Sequence, residues 1–298
     1  MKNKYRNIFL AFGIVAVLIM IFTFDMDYQE LWANLKRAGV YLPLVLLLWL
    51  FVYLINTTSW YIIIRSGGKP GFSFARLYKF TVTGFALNYV TPVGLMGGEP
   101  YRIMELKPYI GVERATSSVI LYVMMHIFSH FCFWLSSVLL YLCLYPVGWV
   151  MGTIMGTITV FCLLVAMLFV KGYQHGMAVA FVRLGSHLPF LKKKVIRFAD
   201  SHREQLENID KQIALLHQQK KGAFYAALFL EYTARVVSCL EIWLILNVLT
   251  RSVSFADCCL IAAFSSLLAN LLFFLPMQLG GREGGFALAV GGLSLSGA

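Results

Sequence analysis

Two glycine pairs, each followed at once by ionisable residues, carry the clearest chemistry in this sequence. Gly97-Gly98 leads into Glu99, Pro100 and Arg102, and Gly280-Gly281 leads into Arg282 and Glu283. Paired glycines let backbone approach a ligand closely. Pro100 suits the first turn of a new helix, where its missing N–H would have no partner anyway. The positive end of such a helix attracts phosphate. Arg102 falls in that turn and could add a planar, two-pronged phosphate contact. Glu99 has three open roles: capping the helix, pairing with Arg102, or holding a headgroup amine. The plainer alternative for both clusters is a capped helix start or an interfacial ion pair. Each cluster also has an Asn and a Pro upstream, Asn88 and Pro92 in one, Asn270 and Pro276 in the other.

Other polar residues sit inside apolar runs. Glu231 and Arg235 are four apart, so they share a helix face and can pair. Glu241 lies roughly 80° from Glu231 around the same helix. Isolated charges at membrane depth are expensive, so this face should line a bundle interior. Two readings of it stay open, a headgroup path and a neutralised structural pair. His126 and His130 are also four apart, in a stretch without a carboxylate or a third ligand nearby in sequence. Interhelical hydrogen bonding is therefore preferred to a metal or haem site. The six cysteines show no metal spacing and read as small core residues.

The elements that must hold these residues follow from composition. The chain is 59% hydrophobic and 13% charged, about half the charge of a soluble domain. That excludes a soluble enzyme, a disordered chain and a disulfide scaffold. Apolar runs of about 20 residues are spans. The first, Ile8–Phe24, follows Lys2, Lys4 and Arg6 and reads as an uncleaved signal anchor. The second is Tyr41–Ile64. Val119–Val170 holds 52 residues without Asp, Glu, Lys or Arg. It must be two spans, with the turn at Pro146 and Gly148. Another run covers Ala223–Leu249. Gly148, Gly152 and Gly156 form a small-residue ladder suited to close helix packing, within the chain or between protomers.

Phe80–Gly98 and Cys258–Gly281 are apolar but end in Pro and Gly clusters. If the first of these dips in and returns, 20 of the 25 Lys and Arg face the cytoplasm, with the amino terminus, and four face outward. That asymmetry obeys the positive-inside rule. The second broken segment then enters from the opposite face. Pro precedes the glycine pair by five residues in one motif and four in the other. Two such segments entering from opposite sides are the sign of an inverted repeat. The expected fold is an all-α polytopic membrane bundle with two re-entrant broken-helix hairpins, forming one domain over residues 1–298. In the cytoplasmic segment 171–222, Val195, Ala199, His202, Leu206, Ile209, Ile213 and Leu216 keep heptad spacing. Lys192–Lys194 and Arg197 there either touch anionic headgroups or simply solvate the loop.

These residues also carry a resemblance. Residues 29–125 resemble the lysylphosphatidylglycerol synthase transmembrane family, also called flippase-like. The matching features are the amphipathic stretch Glu30–Ala38, the span ending in Ser59-Trp60 and the basic turn to Phe74. Next come Asn88-Tyr89-Val90-Thr91-Pro92 and Gly97-Gly98-Glu99-Pro100-Tyr101-Arg102, then Gly111-Val112, Ala115 and Ser118. Pro276 and Gly280-Gly281-Arg282-Glu283-Gly284 resemble the family's second motif. The resemblance implies two re-entrant hairpins and a role in moving lipids between leaflets. The family usually runs on into further membrane helix after the second motif, whereas these residues reach Ala298. They hold no soluble aminoacyl-transfer domain, which argues against lipid synthesis.

The sequence contains no Gly-x4-Gly-Lys-Ser/Thr loop and no Gly-x-Ser-x-Gly elbow. It calls for no cofactor, no metal and no nucleic acid. The expectation is a flippase-like transporter, not an enzyme, in the cytoplasmic membrane. It would move a phosphate-bearing lipid, a lipid-linked sugar or an aminoacyl lipid. Arg102, Arg282 and Arg235 would hold phosphate, while Glu99, Glu283 and Glu231 would balance charge or bind an amine or sugar hydroxyl. Partners are the lipid headgroup and the bilayer, with a homo-oligomer or an envelope-biosynthesis protein in addition. The rival functions are a membrane-embedded glycosyl- or lipid-transferase and a non-catalytic assembly partner of a cell-envelope enzyme.

Overall fold

A computed structural model describes residues 28–90, 97–175, 221–249, 253–271 and 281–292, with five more between 204 and 211. The first apolar run, the heptad positions of 171–222, Pro92, Pro276 and Gly280 lie outside the described residues. All regular structure among the described residues is helical: α1 Tyr28–Ala38, α2 Tyr41–Ser66, α3 Phe74–Val90, α4 Gly98–Ile110, α5 Val112–Leu144, α6 Trp149–His175, α7 Lys221–Leu249, α8 Phe255–Leu271 and α9 Gly281–Gly292.

Three of these are long and apolar enough to cross a membrane: α2, α5, and α6 over Trp149–Met167. Their 26, 33 and 19 residues at 1.5 Å each reach roughly 39, 50 and 28 Å, and the hydrocarbon core is about 30 Å thick. With no water in that core, the helix satisfies its own backbone. The described residues are thus all-helical, in a multi-pass membrane protein. The charge-free stretch is two helices, as its length required. The break falls at Tyr145, in extended backbone (φ −126°, ψ 144°), whose N–H closes α5 on the Tyr141 carbonyl at 2.9 Å. Pro146 follows, and a residue before proline is biased to that conformation.

Local chemistry sets other ends. Ser254 Oγ accepts from the Asp257 N–H at 3.1 Å and donates to Asp257 Oδ2 at 2.7 Å, a capped start for α8. Between α4 and α5 the chain turns at Gly111, whose φ of +81° is costly for any residue with a Cβ.

The described residues fall into two compact units, one drawn from 1–54, 79–101 and 234–298, the other from 55–78 and 102–233. In the first, Tyr53 of α2 stacks on Phe85 of α3 at 5.2 Å. Its core joins the end of α7 to α8 and α9 through Leu246, Cys258, Ile261, Ala289 and Val290. Cys239, Cys258 and Cys259 are buried there, as is Cys162 in the second unit, while Cys143 is exposed. In the second unit, Ser59 Oγ of α2 donates to the Ala227 carbonyl of α7 at 3.1 Å. Tyr232 of α7 donates to Ser136 Oγ of α5 at 2.9 Å. The glycine ladder of α6 meets no neighbouring helix among the described residues. A Cβ on Gly148 or Gly156 would touch nothing within 4 Å, and one on Gly152 would meet only the nearby Val147 side chain. Close packing within the described chain is therefore not what these glycines do.

Candidate functional site

In the first unit, the first Pro/Gly motif closes on itself through one side chain. Asn88, near the end of α3, donates from Nδ2 to Glu99 Oε1 at 3.0 Å. Its Oδ1 accepts the Gly98 N–H at 2.7 Å. The amide thus satisfies one of the unpartnered N–H groups that every helix start carries and fixes Glu99 beside it. The bond to Asn88 involves Glu99 in holding the two ends of the broken segment together. Gly98 is required here on steric grounds. A Cβ would overlap the Gly84 carbonyl oxygen of α3 and sit 2.8 Å from Asn88 Oδ1. Gly97, Gly98 and Gly84 are all buried. Helix α4 begins at Gly98, so Pro100 stands inside its first turn as its missing N–H predicts.

In the second unit, the same helix presents Arg102. This side chain is 1% exposed. Its guanidinium carbon lies 5.7 Å from the ring centre of Trp60 and 5.2 Å from that of Tyr122. The two rings stack on each other at 5.4 Å. Aromatic faces are negative, and a desolvated contact of this kind is worth about 2 kcal/mol or more. The sequence thus placed a cation in the motif, and the fold wraps it in aromatic rings from α2 and α5.

From Tyr122, a stripe runs along α5 at four-residue spacing. Tyr122 and His126 rings lie 6.4 Å apart, His126 and His130 5.7 Å and perpendicular, His130 and Trp134 5.6 Å. His126 Nδ1 sits 2.8 Å from Glu231 Oε2 of α7. Glu231 is 1% exposed, whereas the His126 side chain keeps 30%. The interhelical hydrogen bond expected of the histidine pair is present. Its acceptor is Glu231, for which spacing had offered Arg235. Arg235 is half-buried, and its carbonyl accepts from Ser238 Oγ at 2.7 Å. Glu241 is likewise half-buried.

The second motif is partly visible in the first unit. Asn270 is exposed, and its Nδ2 donates back to the Ser266 carbonyl of its own helix at 2.7 Å, unlike Asn88. Helix α9 holds Gly281, Arg282 and Glu283, whose side chains lie outside the described residues. Its close approach to α8 is made by Gly285, where a Cβ would fall 3.1 Å from Ser265 Cα.

The described residues thus combine a helix that starts at a glycine with a buried arginine in an apolar, helical membrane chain. The family model "Lysylphosphatidylglycerol synthase TM region" matches residues 8–298. The chain belongs to this lysylphosphatidylglycerol synthase transmembrane family. No curated protein matches it. Nor does any solved structure. Membership makes this a lipid-related membrane protein.

Within this family member, three participants escaped the sequence reading. Gly84 is one glycine in an apolar run, and only the packing of α4 on α3 shows its use. Trp60 was noted only as the end of a span. Tyr122 lies one turn before His126 in the charge-free stretch, and only the fold shows that its ring faces Arg102. A guanidinium stacks on aromatic faces, so the aromatic residues of the neighbouring apolar runs are the one signal the sequence offered for its surroundings.

Proposed function

We propose that this chain moves a phosphate-bearing lipid, or a lipid-linked sugar or aminoacyl lipid, between the leaflets of the cytoplasmic membrane. It acts as a flippase-like transporter with its amino terminus in the cytoplasm, not as a transferase. The observation that carries this reading is Arg102, a fully buried cation at the start of a helix that follows a glycine pair. A buried arginine at membrane depth is a functional candidate by default, and its planar fork suits phosphate. In the described conformation Trp60 and Tyr122 cover it. A headgroup gains it when those rings part, and the path is shut when they close. The tails stay in the bilayer, so only the polar group needs a protein route.

The family match supports the lipid as cargo. The break between α3 and α4, pinned by Asn88 and Glu99, supports a re-entrant hairpin there. A second hairpin from α8 into α9, entering from the other face, completes the inverted repeat of this proposal. Arg282 and Glu283 serve it as Arg102 and Glu99 serve the first, and Arg235 adds a further cation on α7. A second copy or an envelope-biosynthesis protein would meet the outer face of α6, where Trp149 and Val150 are exposed.

The test is reconstitution of the chain in liposomes carrying headgroup-labelled phosphatidylglycerol, with label reaching the far leaflet as the readout. Arg102→Ala, alone and with Arg282→Ala, should abolish transfer while the protein stays folded in the membrane. Undiminished transfer by a folded Arg102→Ala protein removes Arg102 from the mechanism.

A further inference from the structure

We propose that His126 and Glu231 form a proton-binding site that takes up a proton when an anionic headgroup occupies Arg102, and releases it when the headgroup leaves. This rests on the reading of Arg102 as the phosphate ligand, and adds to it a second cargo, the proton.

The argument begins with charge balance. Among the described residues, the only buried charged side chains are Arg102 and Glu231. They have opposite sign, and both belong to the second unit. They meet the same face of α5 one turn apart, Arg102 over Tyr122 and Glu231 against His126. A cation with almost no solvent contact needs a counter-charge in the bundle, and Glu231 is the buried one. A phosphate monoanion arriving at Arg102 supplies that counter-charge itself. The carboxylate then becomes surplus negative charge beside another anion, and a like charge nearby favours its protonated form.

The geometry supplies the route. Glu231 is 1% exposed, so no proton reaches it directly, whereas the ring bonded to it is 30% exposed. Imidazole carries protons by accepting at one nitrogen and releasing from the other. His126 gains a proton from water at Nε2, and its Nδ1 proton passes to Glu231 Oε2. The product is neutral imidazole with neutral carboxylic acid. Glu231 Oε1 has no hydrogen-bond partner among the described residues, so the second oxygen is also open to a proton. The balance closes in both states. Before binding, Arg102 is matched by the Glu231 carboxylate. After binding, Arg102 is matched by phosphate, and Glu231 is neutral.

The other groups facing the pair fit this scheme. Helix α5 brings Tyr122 and His130, at 6.4 and 5.7 Å from the His126 ring. Helix α4 brings Arg102. Helix α7 carries Tyr232 next to Glu231. From α2, the buried polar side chains are Asn56, Thr57 and Ser59, none of which titrates.

The experiment uses the full chain in detergent. Short-chain phosphatidylglycerol is added, with short-chain diacylglycerol as the phosphate-free control. Binding is followed by calorimetry, proton uptake by a pH indicator, and the carboxyl group by infrared difference spectroscopy. Binding of phosphatidylglycerol should draw in roughly one proton per headgroup and raise a protonated-carboxyl band. Diacylglycerol should do neither. Glu231→Gln should lose the band and the uptake. Should that variant fail to fold, Glu231→Asp should shift the band in frequency. Binding without uptake or band overturns the proton site and leaves the Arg102 reading standing. Uptake with the band unmoved in Glu231→Asp or unchanged in Glu231→Gln overturns the assignment to Glu231. Failure of phosphatidylglycerol to bind at all overturns the Arg102 reading, and the proton site with it.

Discussion

Asn88 Nδ2 donates to Glu99 Oε1 at 3.0 Å, bridging the break between α3 and α4. The same amide accepts the Gly98 N–H, so a single side chain satisfies a helix start and fixes a carboxylate. Truncating it leaves the N–H of buried Gly98 and the carboxylate of half-buried Glu99 without that partner. Asn88→Ala should therefore destabilise the protein by about 1–3 kcal/mol, seen as a lowered unfolding temperature in detergent. A variant as stable as the parent would mean that the bridge contributes nothing to closing the break.

Glycines in this chain differ in what surrounds them, and alanine scanning should show it. At Gly98 an added methyl overlaps the backbone of Gly84, which cannot swing aside as a flexible side chain would. Gly98→Ala should cost about 1–3 kcal/mol, the usual range for overpacking. At Gly156 the same methyl meets nothing within 4 Å. Gly156→Ala should be neutral or stabilising by up to about 1 kcal/mol. Thermal unfolding of both variants, side by side, checks the contrast. A destabilised Gly156→Ala would instead reveal a neighbour packed on the ladder of α6.

What the sequence disclosed and what it withheld divide along a physical line. The spans α2, α5 and α6, and the turn at Pro146, were legible because hydropathy and proline are local signals. So were the glycine start of α4 and the place of Arg102 in its first turn. Partnerships across the fold were not legible. Glu231 and His126 are 105 residues apart, and helical spacing pointed to Arg235, because periodicity sees only neighbours on one helix. The likeness of Asn88 and Asn270 was a matter of residue type and position. Their hydrogen bonds differ, since Asn88 has the Gly98 N–H and Glu99 within reach and Asn270 bonds to its own helix.

Arg102 offers a test of shape against charge. Lysine keeps the positive charge but not the plane that lies over Trp60 and Tyr122, nor the two-pronged phosphate contact. Arg102→Lys should retain a folded protein and a reduced rate of headgroup transfer, between those of the parent and Arg102→Ala. Removing one aromatic wall by Trp60→Ala should destabilise more, by about 3–5 kcal/mol as for a large buried ring, because Trp60 is fully buried. Transfer in liposomes and thermal unfolding separate the two effects. Full activity in Arg102→Lys would show that charge alone suffices.

The pairing of His126 with Glu231 can be weighed by a double-mutant cycle that needs no transport assay. Removing one partner of this hydrogen bond leaves the other unsatisfied, at a cost of about 1–3 kcal/mol and more for a charged group. His126→Leu should strand a carboxylate that is 1% exposed, and Glu231→Leu should strand a ring only 30% exposed. Glu231→Leu should also leave Arg102, 1% exposed, without its counter-charge, and should therefore be the more damaging of the two. Leucine at both positions removes the polar demand of this contact together with its satisfaction, and leaves only the Arg102 penalty that Glu231→Leu already carries. The double variant should then be more stable than the sum of the singles predicts, by more than the roughly 0.5 kcal/mol scatter of independent sites. Unfolding temperatures of the four proteins, measured in one detergent, give the coupling. Simple additivity would mean that the 2.8 Å contact joins two groups that the bundle stabilises separately.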